Sequence, residues 1–464
     1  MPPSADPLCC LDQGIWQTVW IEEVGQFFIA DLEIETNLTA IVATARILSA
    51  DGKSGAPLPS AQVTFDVHAE PGQAPLATAV MHTGAGCSEL GVCVAALEIT
   101  SPRLWSPASP FLYNLTATLA IGQQDVDEVT SYFGMRTVSL GDAPGGAKTL
   151  QLNGAPLFAS GWLDQSWWPD GQYTAPTDEA LAFDVQALAT FGMNMVRLHQ
   201  KINPERWYQL QRFRLVLSPF RSTDFVCLSR YYHADKAGVV VLQDMVQHFN
   251  YHVDESGEKQ NLPIDTDLFT ADWKAAIKGR KNHPCIIQWD IFNEFEYTQS
   301  VWKCSSASCP ILDVTRAADK TRLVDFNSGG PGNSLGIGDV NDIHSYPTPA
   351  TDRAAATATR YGMVGEYGGI GWATPGHEWL PGMCQRRSAG NFNASAGGAA
   401  VLLKELDAAA EGKGNISAIV YTQITDVELE CDGMFTYDRI SHYNEEDTAR
   451  IKAANLALTG GGAR

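Results

Sequence analysis

The chain has 464 residues, 45% of them hydrophobic, and a formal net charge of -21. That length and apolar content suffice for two or three buried cores, so at least two domains are expected. The acidic balance argues against a nucleic-acid partner, because phosphate contacts need clustered Lys and Arg, and no uncharged apolar run is long enough for a membrane span, so a soluble chain is expected.

Met1 to Gly14 carry neither a basic n-region nor an apolar h-region, so no signal peptide is expected and the compartment stays open. From about Ile15 to Leu140 the apolar residues alternate with period two, as at Val63, Phe65 and Val67 and again at Leu115, Ala117, Leu119 and Ile121. This is strand patterning. Gly and Pro clusters at Asp51 to Pro59 and Glu70 to Pro75 punctuate it, and regularly spaced short strands predict a sandwich over residues 23–140, for which an Ig-like domain fits best. Asn-x-Ser/Thr sequons at Asn37, Asn114, Asn393 and Asn415 leave glycosylation open. The ten Cys include two close pairs, Cys87 with Cys93 and Cys304 with Cys309, but no dense framework, and are read as free thiols.

Gly141 to Ala147 is rich in Gly, Ala and Pro and predicts a linker over 141–150. Beyond it, strands are expected at Leu157 to Trp162, Asn194 to Leu198, Val239 to Gln243, Ile286 to Phe292, Arg322 to Phe326, Asn341 to His344, Met363 to Glu366 and Ile416 to Gln423, with a helix over Asp178 to Phe191. Eight buried strands with helical segments between many of them predict a (β/α)8 TIM barrel over 151–464. The chain is thus read as a multidomain β plus α/β protein. An open doubly wound sheet would want a Gly-rich phosphate turn after its first strand, and there is none.

One segment breaks the pattern. A helix capped by Asn203, with Pro204 at its first position, should run through Trp207 and Tyr208, yet residues 209–231 intervene with Pro219 and no helical period. Excising them joins Trp207-Tyr208 to Tyr232-His233-Ala234-Asp235-Lys236-Ala237, with Gly238 as the terminating residue. The segment holds Arg212, Arg214, Arg221 and Arg230 against Asp224, a basic patch in an acidic chain, and is read as an insertion.

The strongest chemical signal is Gln288-Trp289-Asp290-Ile291-Phe292-Asn293-Glu294, an apolar strand ending in Asn-Glu. Barrels place their chemistry at the C-terminal ends of strands, so this carboxyl should face the site. Met363-Val364-Gly365-Glu366-Tyr367-Gly368-Gly369 repeats the arrangement, with glycines that let the backbone turn close to a ligand. Two carboxyls flanking a sugar can act as acid and as nucleophile or base; their spacing in sequence does not distinguish retention from inversion.

These residues belong to a wider resemblance. Leu104-Trp105-Ser106-Pro107, Pro110, Leu112-Tyr113 and Phe133-Gly134-Met135-Arg136, then Asn153-Gly154, Gly192 to His199, Phe292-Asn293-Glu294 and Thr422 to Glu428, resemble in order the landmarks of glycoside hydrolase family 2. The resemblance implies a retaining O-glycosyl hydrolase acting on a terminal β-linked sugar, β-galactoside first, then β-glucuronide or β-mannoside. Glu294 would be its acid/base and Glu366 its nucleophile. It implies that Asn293 bonds the sugar 2-hydroxyl and that Arg197 pairs with the nucleophile. His199, His344 and Tyr346, at or beyond strand ends, could donate to sugar hydroxyls or to the nucleophile. Trp162, Trp167, Trp168, Trp372 and Trp379 could stack on sugar rings. Asp164 and Asp244 could contact hydroxyls or help hold a cation, although no metal or other cofactor is expected.

Members of that family normally begin with a jelly-roll sugar-binding domain. Here Gly14 to Glu22 resembles only its closing strand, so residues 1–22 are read as a remnant. The alternative to an active glycosidase is therefore a carbohydrate-binding remnant or inactive truncated homologue.

Overall fold

The computed structural model describes residues 15, 17, 19, 23–51, 60–143, 145–204, 230–247, 251–253, 259–261, 264–296, 300–330, 335–382, 384 and 398–460. The alternating pattern produces the sandwich. Strands Phe27–Thr36, Ala40–Ser49 and Val92–Glu98 lie side by side, as do Ala77–Thr83, Ala61–His68, Tyr113–Ile121 and Gln124–Phe133, and Gly86–Cys87 joins the two groups. Val63, Phe65, Val67, Leu115, Ala117 and Leu119 all face one buried core, as period two requires.

The barrel follows in chain order. Its strands are β1 (Ala159–Asp164), β2 (Met195–Leu198), β3 (Val240–Asp244), β4 (Ile286–Asn293), β5 (Leu323–Ser328), β6 (Val340–His344), β7 (Tyr361–Gly368) and β8 (Ala418–Thr422). Parallel ladders run from β1 through β5 in one direction and from β1 through β8, β7 and β6 in the other. The β5–β6 seam is bridged by Val324 N donating to Asp339 Oδ2 and by Asp339 N donating to the Val324 carbonyl, both at 2.8 Å. Helices α1 (Asp178–Thr190), α2 (Arg230–Ala237), α3 (Thr266–Arg280), α4 (Pro310–Ala318), α5 (Gly398–Glu411) and α6 (Glu445–Thr459) surround it. Thr177 caps α1 through Ala180 N, and Gly238 follows α2 at φ +70°. Among the described residues no helix is long and apolar enough to cross a membrane.

The stretch read as a linker is a hairpin. Val138–Asp142 pairs with Lys148–Leu152, and across the turn the Ala143 amide donates to the Ala147 carbonyl. Composition rich in Gly, Ala and Pro marks a turn as readily as a linker. The landmark residues Trp105 and Arg136, together with Tyr132, fasten the sandwich to the barrel. Trp105 Nε1 donates to the Asp235 carbonyl at 2.8 Å and the Tyr132 hydroxyl donates to the Asp235 carboxylate at 2.6 Å. Arg136 donates to the carbonyls of Pro284 and Ile286, each at 2.8 Å.

The free-thiol reading is corrected. Among the described residues three disulfides join Cys87 to Cys93, Cys304 to Cys309 and Cys384 to Cys431, while Cys285 is a buried thiol. Cys87 and Cys93 sit opposite each other on adjacent strands. The third bridge ties the loop after β7 to the loop after β8 across 47 residues of sequence, a proximity that only barrel closure creates.

The insertion boundary also changes. Most of it, with Trp207 and Tyr208, lies outside the described residues, but Arg230 and Tyr231 open α2 and are buried. Arg230 is no part of a basic surface: its guanidinium lies 2.7 Å from both Asp164 and Asp184. Arg230→Met should leave two buried carboxylates without their common cation, at a cost of about 3–5 kcal/mol. A urea titration should show the midpoint falling with the slope unchanged; an unmoved midpoint would return Arg230 to the surface.

Candidate active site

Glu294 stands just past the end of β4 with φ +50°. A left-handed backbone costs a side chain of this kind about 1–2 kcal/mol. It is held there by its own amide, which donates to the Ser328 carbonyl at 2.9 Å, and it turns the side chain out of the strand's alternation. Glu366 lies inside β7. The Glu294 side chain is 56% exposed and the Glu366 side chain 10%, so one carboxyl stands open to solvent while the other forms the floor.

Between them is His344, at the end of β6. Its Nδ1 is 2.7 Å from Glu294 Oε1 and 3.6 Å from Glu366 Oε2. One donor atom from each of the three side chains falls within 4.8 Å of the other two. These atoms could also converge on a cation. A counter-charge for Glu366 comes from the protein itself, with Arg197 Nη1 3.0 Å from Glu366 Oε1.

Arg197, at the third position of β2, is buried and fully engaged. It forks onto Asp244 at 3.0 and 2.9 Å and donates to the Gly365 carbonyl at 3.1 Å and to Asn293 Oδ1 at 2.8 Å. The Asn293 amide is thereby fixed with its oxygen inward, and its nitrogen is the end left to donate. Burial works against the charge on Arg197, but Asp244, Glu366, Asp290 and Asp342 outweigh it and hold the group well above its ordinary value. Burial likewise opposes ionisation of Asp244, yet Arg197 and His199 bring it down to about 2. For Glu366, burial is again the largest influence and raises it. His344, Arg197, His199 and the Tyr346 hydroxyl together hold it below the usual carboxylate range.

The structure brings most of the expected residues together. Tyr346 donates its hydroxyl to Glu366 Oε2 and stands 3.0 Å from Thr422 Oγ1. His199 is one step removed, with Nδ1 3.1 Å from Asp244 Oδ2 and Nε2 against Gln200. Asp164 is buried, and Arg230 Nη2, the Ser166 amide and the Ser166 hydroxyl engage its carboxylate. Trp162 and Trp168 are buried too, Trp162 inside β1 itself, which removes both from the set of stacking indoles. Trp167 packs on Tyr173, and Trp372 lies half-buried near His442 and Tyr443 with its amide donating to Cys431. Trp379 is exposed beside Tyr437.

Sequence reasoning missed a second row of polar groups inside the barrel. Gln288, Asp290, Asp325, Asp342 and Ser328 are all buried. Burial, together with neighbouring carboxylates, pushes Asp290 and Asp325 well above the ordinary range. The available signal was the presence of acidic residues within otherwise apolar strands.

A β-sandwich followed by a (β/α)8 barrel, with one carboxyl just past the fourth strand and one in the seventh, defines a class of barrel proteins that bring two carboxyls to one end of the barrel. Two sequence models of glycosyl hydrolases family 2 match this chain, one over residues 27–136 and one, the TIM barrel domain, over residues 148–346. The chain belongs to that family. The second match contains Glu294 and stops short of Glu366.

Among curated relatives, a putative beta-glucuronidase of Formosa agariphila is 26% identical over 236 residues, 51% of this chain and 19% of that protein. A beta-galactosidase of Lactococcus lactis subsp. lactis is 23% identical over 278 residues, 59% of this chain and 24% of that protein. The chain thus matches only about a fifth to a quarter of the length of these relatives. A solved family 2 beta-galacturonidase from Eisenbergiella tayi bound to galacturonate aligns with a TM-score of 0.65 at 16% identity, covering 95% of this chain and 73% of that one. A beta-D-glucuronidase from Dictyoglomus thermophilum aligns with 0.61 at 14%, covering 92% and 68%. Likeness at these identities speaks for the fold.

Proposed function

We propose that this chain is a retaining glycosidase that cleaves a terminal β-linked sugar through a covalent glycosyl-enzyme, with Glu294 as acid/base and Glu366 as nucleophile. The observation that carries the reading is the approach of the two carboxyls, whose nearest oxygens fall within 4.8 Å. Retaining enzymes hold these groups about 5–5.5 Å apart, whereas inverting enzymes need about 6.5–9.5 Å to admit a water. In the first step Glu366 Oε attacks the anomeric carbon while Glu294 gives its proton to the departing glycosidic oxygen. In the second, Glu294 takes a proton from water, the water oxygen adds to the anomeric carbon, and the Glu366 ester bond breaks. Arg197 and Tyr346 support the anionic form of Glu366, which suits a nucleophile.

A β-galactoside is the first candidate, ahead of a β-glucuronide or β-mannoside. The Arg197 guanidinium beside Glu366 is occupied by Glu366 and Asp244, so it offers nothing to a uronate carboxylate. The competing reading is a sugar-binding remnant without turnover. A panel of 4-nitrophenyl β-glycosides, with sugar binding measured alongside, separates the two. Hydrolysis is expected, with the β-anomer as the first product seen by proton NMR; an α-anomer would overturn retention, and binding without turnover would establish the remnant.

A further inference from the structure

Behind the carboxyl pair runs a chain of hydrogen bonds joining three strands. His344 Nε2 lies 2.8 Å from Ser328 Oγ, and Ser328 Oγ donates to Asp342 Oδ2. Asp342 Oδ1 in turn receives the Gly365 amide at 2.7 Å, the pattern of an accepting carboxylate. Ser328 also holds Glu294 directly, since its carbonyl accepts the Glu294 amide at 2.9 Å. The space for this chain depends on two glycines. A Cβ on Gly365 would stand 2.2 Å from Asp342 Oδ2, and one on Gly329 would stand 2.2 Å from His344 Cγ. At Gly329 the backbone is also left-handed, with φ +62°.

The direction of these bonds fixes a tautomer. A serine hydroxyl has one proton, and here it goes to Asp342, so toward His344 the oxygen can only accept. Nε2 must therefore carry hydrogen. That leaves Nδ1 facing Glu294 Oε1 at 2.7 Å, a contact that needs one proton between the two atoms. Two protons would clash, and none would set a lone pair against a carboxylate.

We propose that Ser328 and Asp342 are positioning residues that lock His344 in its Nε2–H form, making Glu294 and His344 Nδ1 a pair that shares a single proton. The proposal rests on the glycosidase reading and adds to it a reason why one group can serve as acid and then as base. When the pair gives its proton to the leaving oxygen, Nδ1 and Oε1 are left facing each other bare. The locked ring cannot relieve this by turning an N–H toward Glu294. The pair therefore regains its proton from the attacking water, and over the cycle one proton leaves and one returns.

The groups facing His344 are Glu294 from β4, Glu366 from β7, Asp342 from its own strand β6 and Arg197 from β2. Burial works against a charge on the imidazole, but Glu366, Glu294 and Asp342 outweigh it and raise its proton affinity above the ordinary value, consistent with a proton resting at Nδ1.

The test removes the lock and leaves the two carboxyls in place. In Ser328→Ala and Asp342→Asn the imidazole can adopt the Nδ1–H form, which satisfies a deprotonated Glu294 and weakens it as an acid. Glycosides with poor leaving groups, which need that acid, should slow by about tenfold or more, and 2,4-dinitrophenyl glycosides, which need it little, by about twofold at most. The alkaline limb of kcat/KM for the poor leaving groups should shift in the same variants. Ser328→Thr, which keeps the hydroxyl, should restore the wild-type dependence on leaving group. A second measurement does not require turnover: imidazole nitrogen NMR of the histidine-labelled full chain, with His344→Gln assigning the signal, should show Nε2–H in the wild type and a mixture of forms in Ser328→Ala. If the wild-type ring is found as the neutral Nδ1–H form, the proposal is overturned whether or not the chain hydrolyses any glycoside. If Ser328→Ala loses the same factor on every leaving group, the chain serves folding only and the proposal is likewise overturned. If no substrate is turned over while the NMR shows the locked form, the lock stands and it is the glycosidase reading that fails.

Discussion

Glu366→Gly is expected to lower kcat on aryl β-glycosides by at least about 10⁴-fold, on the scale of about 10⁶ seen when a covalent nucleophile is removed from a serine protease. The reason is geometric. Glu366 is the carboxyl on the floor, oriented by Arg197 Nη1 at 3.0 Å and by the Tyr346 hydroxyl. Without it nothing on the protein attacks the anomeric carbon. Azide entering the vacated space should displace the leaving group directly and give the α-glycosyl azide. Glu294→Ala should fail differently: activated substrates still form the glycosyl-enzyme, but water is no longer deprotonated to release it, so azide restores turnover and gives the β-glycosyl azide. The same anomer from both variants, or rescue of neither in a chain whose wild type is active, would sink the assignment of these two residues.

The second large effect is expected at Arg197. Its guanidinium touches Asp244, Glu366, Asn293 and the Gly365 carbonyl, so Arg197→Gln removes the cation shared by two buried carboxylates. Breaking a buried pair from one side costs about 3–5 kcal/mol, and thermal melting should read this as a large fall in Tm. The pH dependence carries a sign. Glu366 is held below its ordinary value in part by Arg197, and a nucleophile must be ionised to attack. Removing the cation means that ionisation requires a higher pH, so the acid limb of kcat/KM should move upward. Stability gives a parallel check. Asp244, lowered to about 2, contributes stability that is full above its unfolded value near 3.9 and is lost as pH falls through about 2. In Arg197→Gln the Asp244 share of that contribution should shrink, so the difference in stability between wild type and variant should narrow as the pH falls from about 4 to 2. An acid limb that stays in place would show that Arg197 serves only the fold.

Much of the architecture was legible because it depends on local pattern. Period-two alternation at Val63, Phe65 and Val67 gave the sandwich strands, and buried runs ending in polar residues gave all eight barrel strands to within a few positions. Glu294 and Glu366 could be singled out for the same reason: a carboxyl that terminates an apolar strand followed by glycine or a turn is conspicuous in one dimension. The family landmarks did the rest, since their order along the chain is itself linear information.

Only the tertiary structure decided which of these residues meet. Arg197, Asp244, Asn293 and Glu366 come from four strands, and nothing in their spacing announces that one guanidinium contacts the other three. Arg230 read as one charge in a basic run until barrel closure set it between Asp164 and Asp184. Cys384 and Cys431 paired for the same reason, and Trp162 passed from candidate sugar platform to core because the pleat of β1 sets its ring against Phe191 and Phe435. The Asp342, Ser328 and His344 chain was the least visible of all. Of its members only His344 was singled out in the sequence, and the function proposed for the chain depends on the direction of hydrogen bonds across adjacent strands, a property that exists only once the barrel has closed.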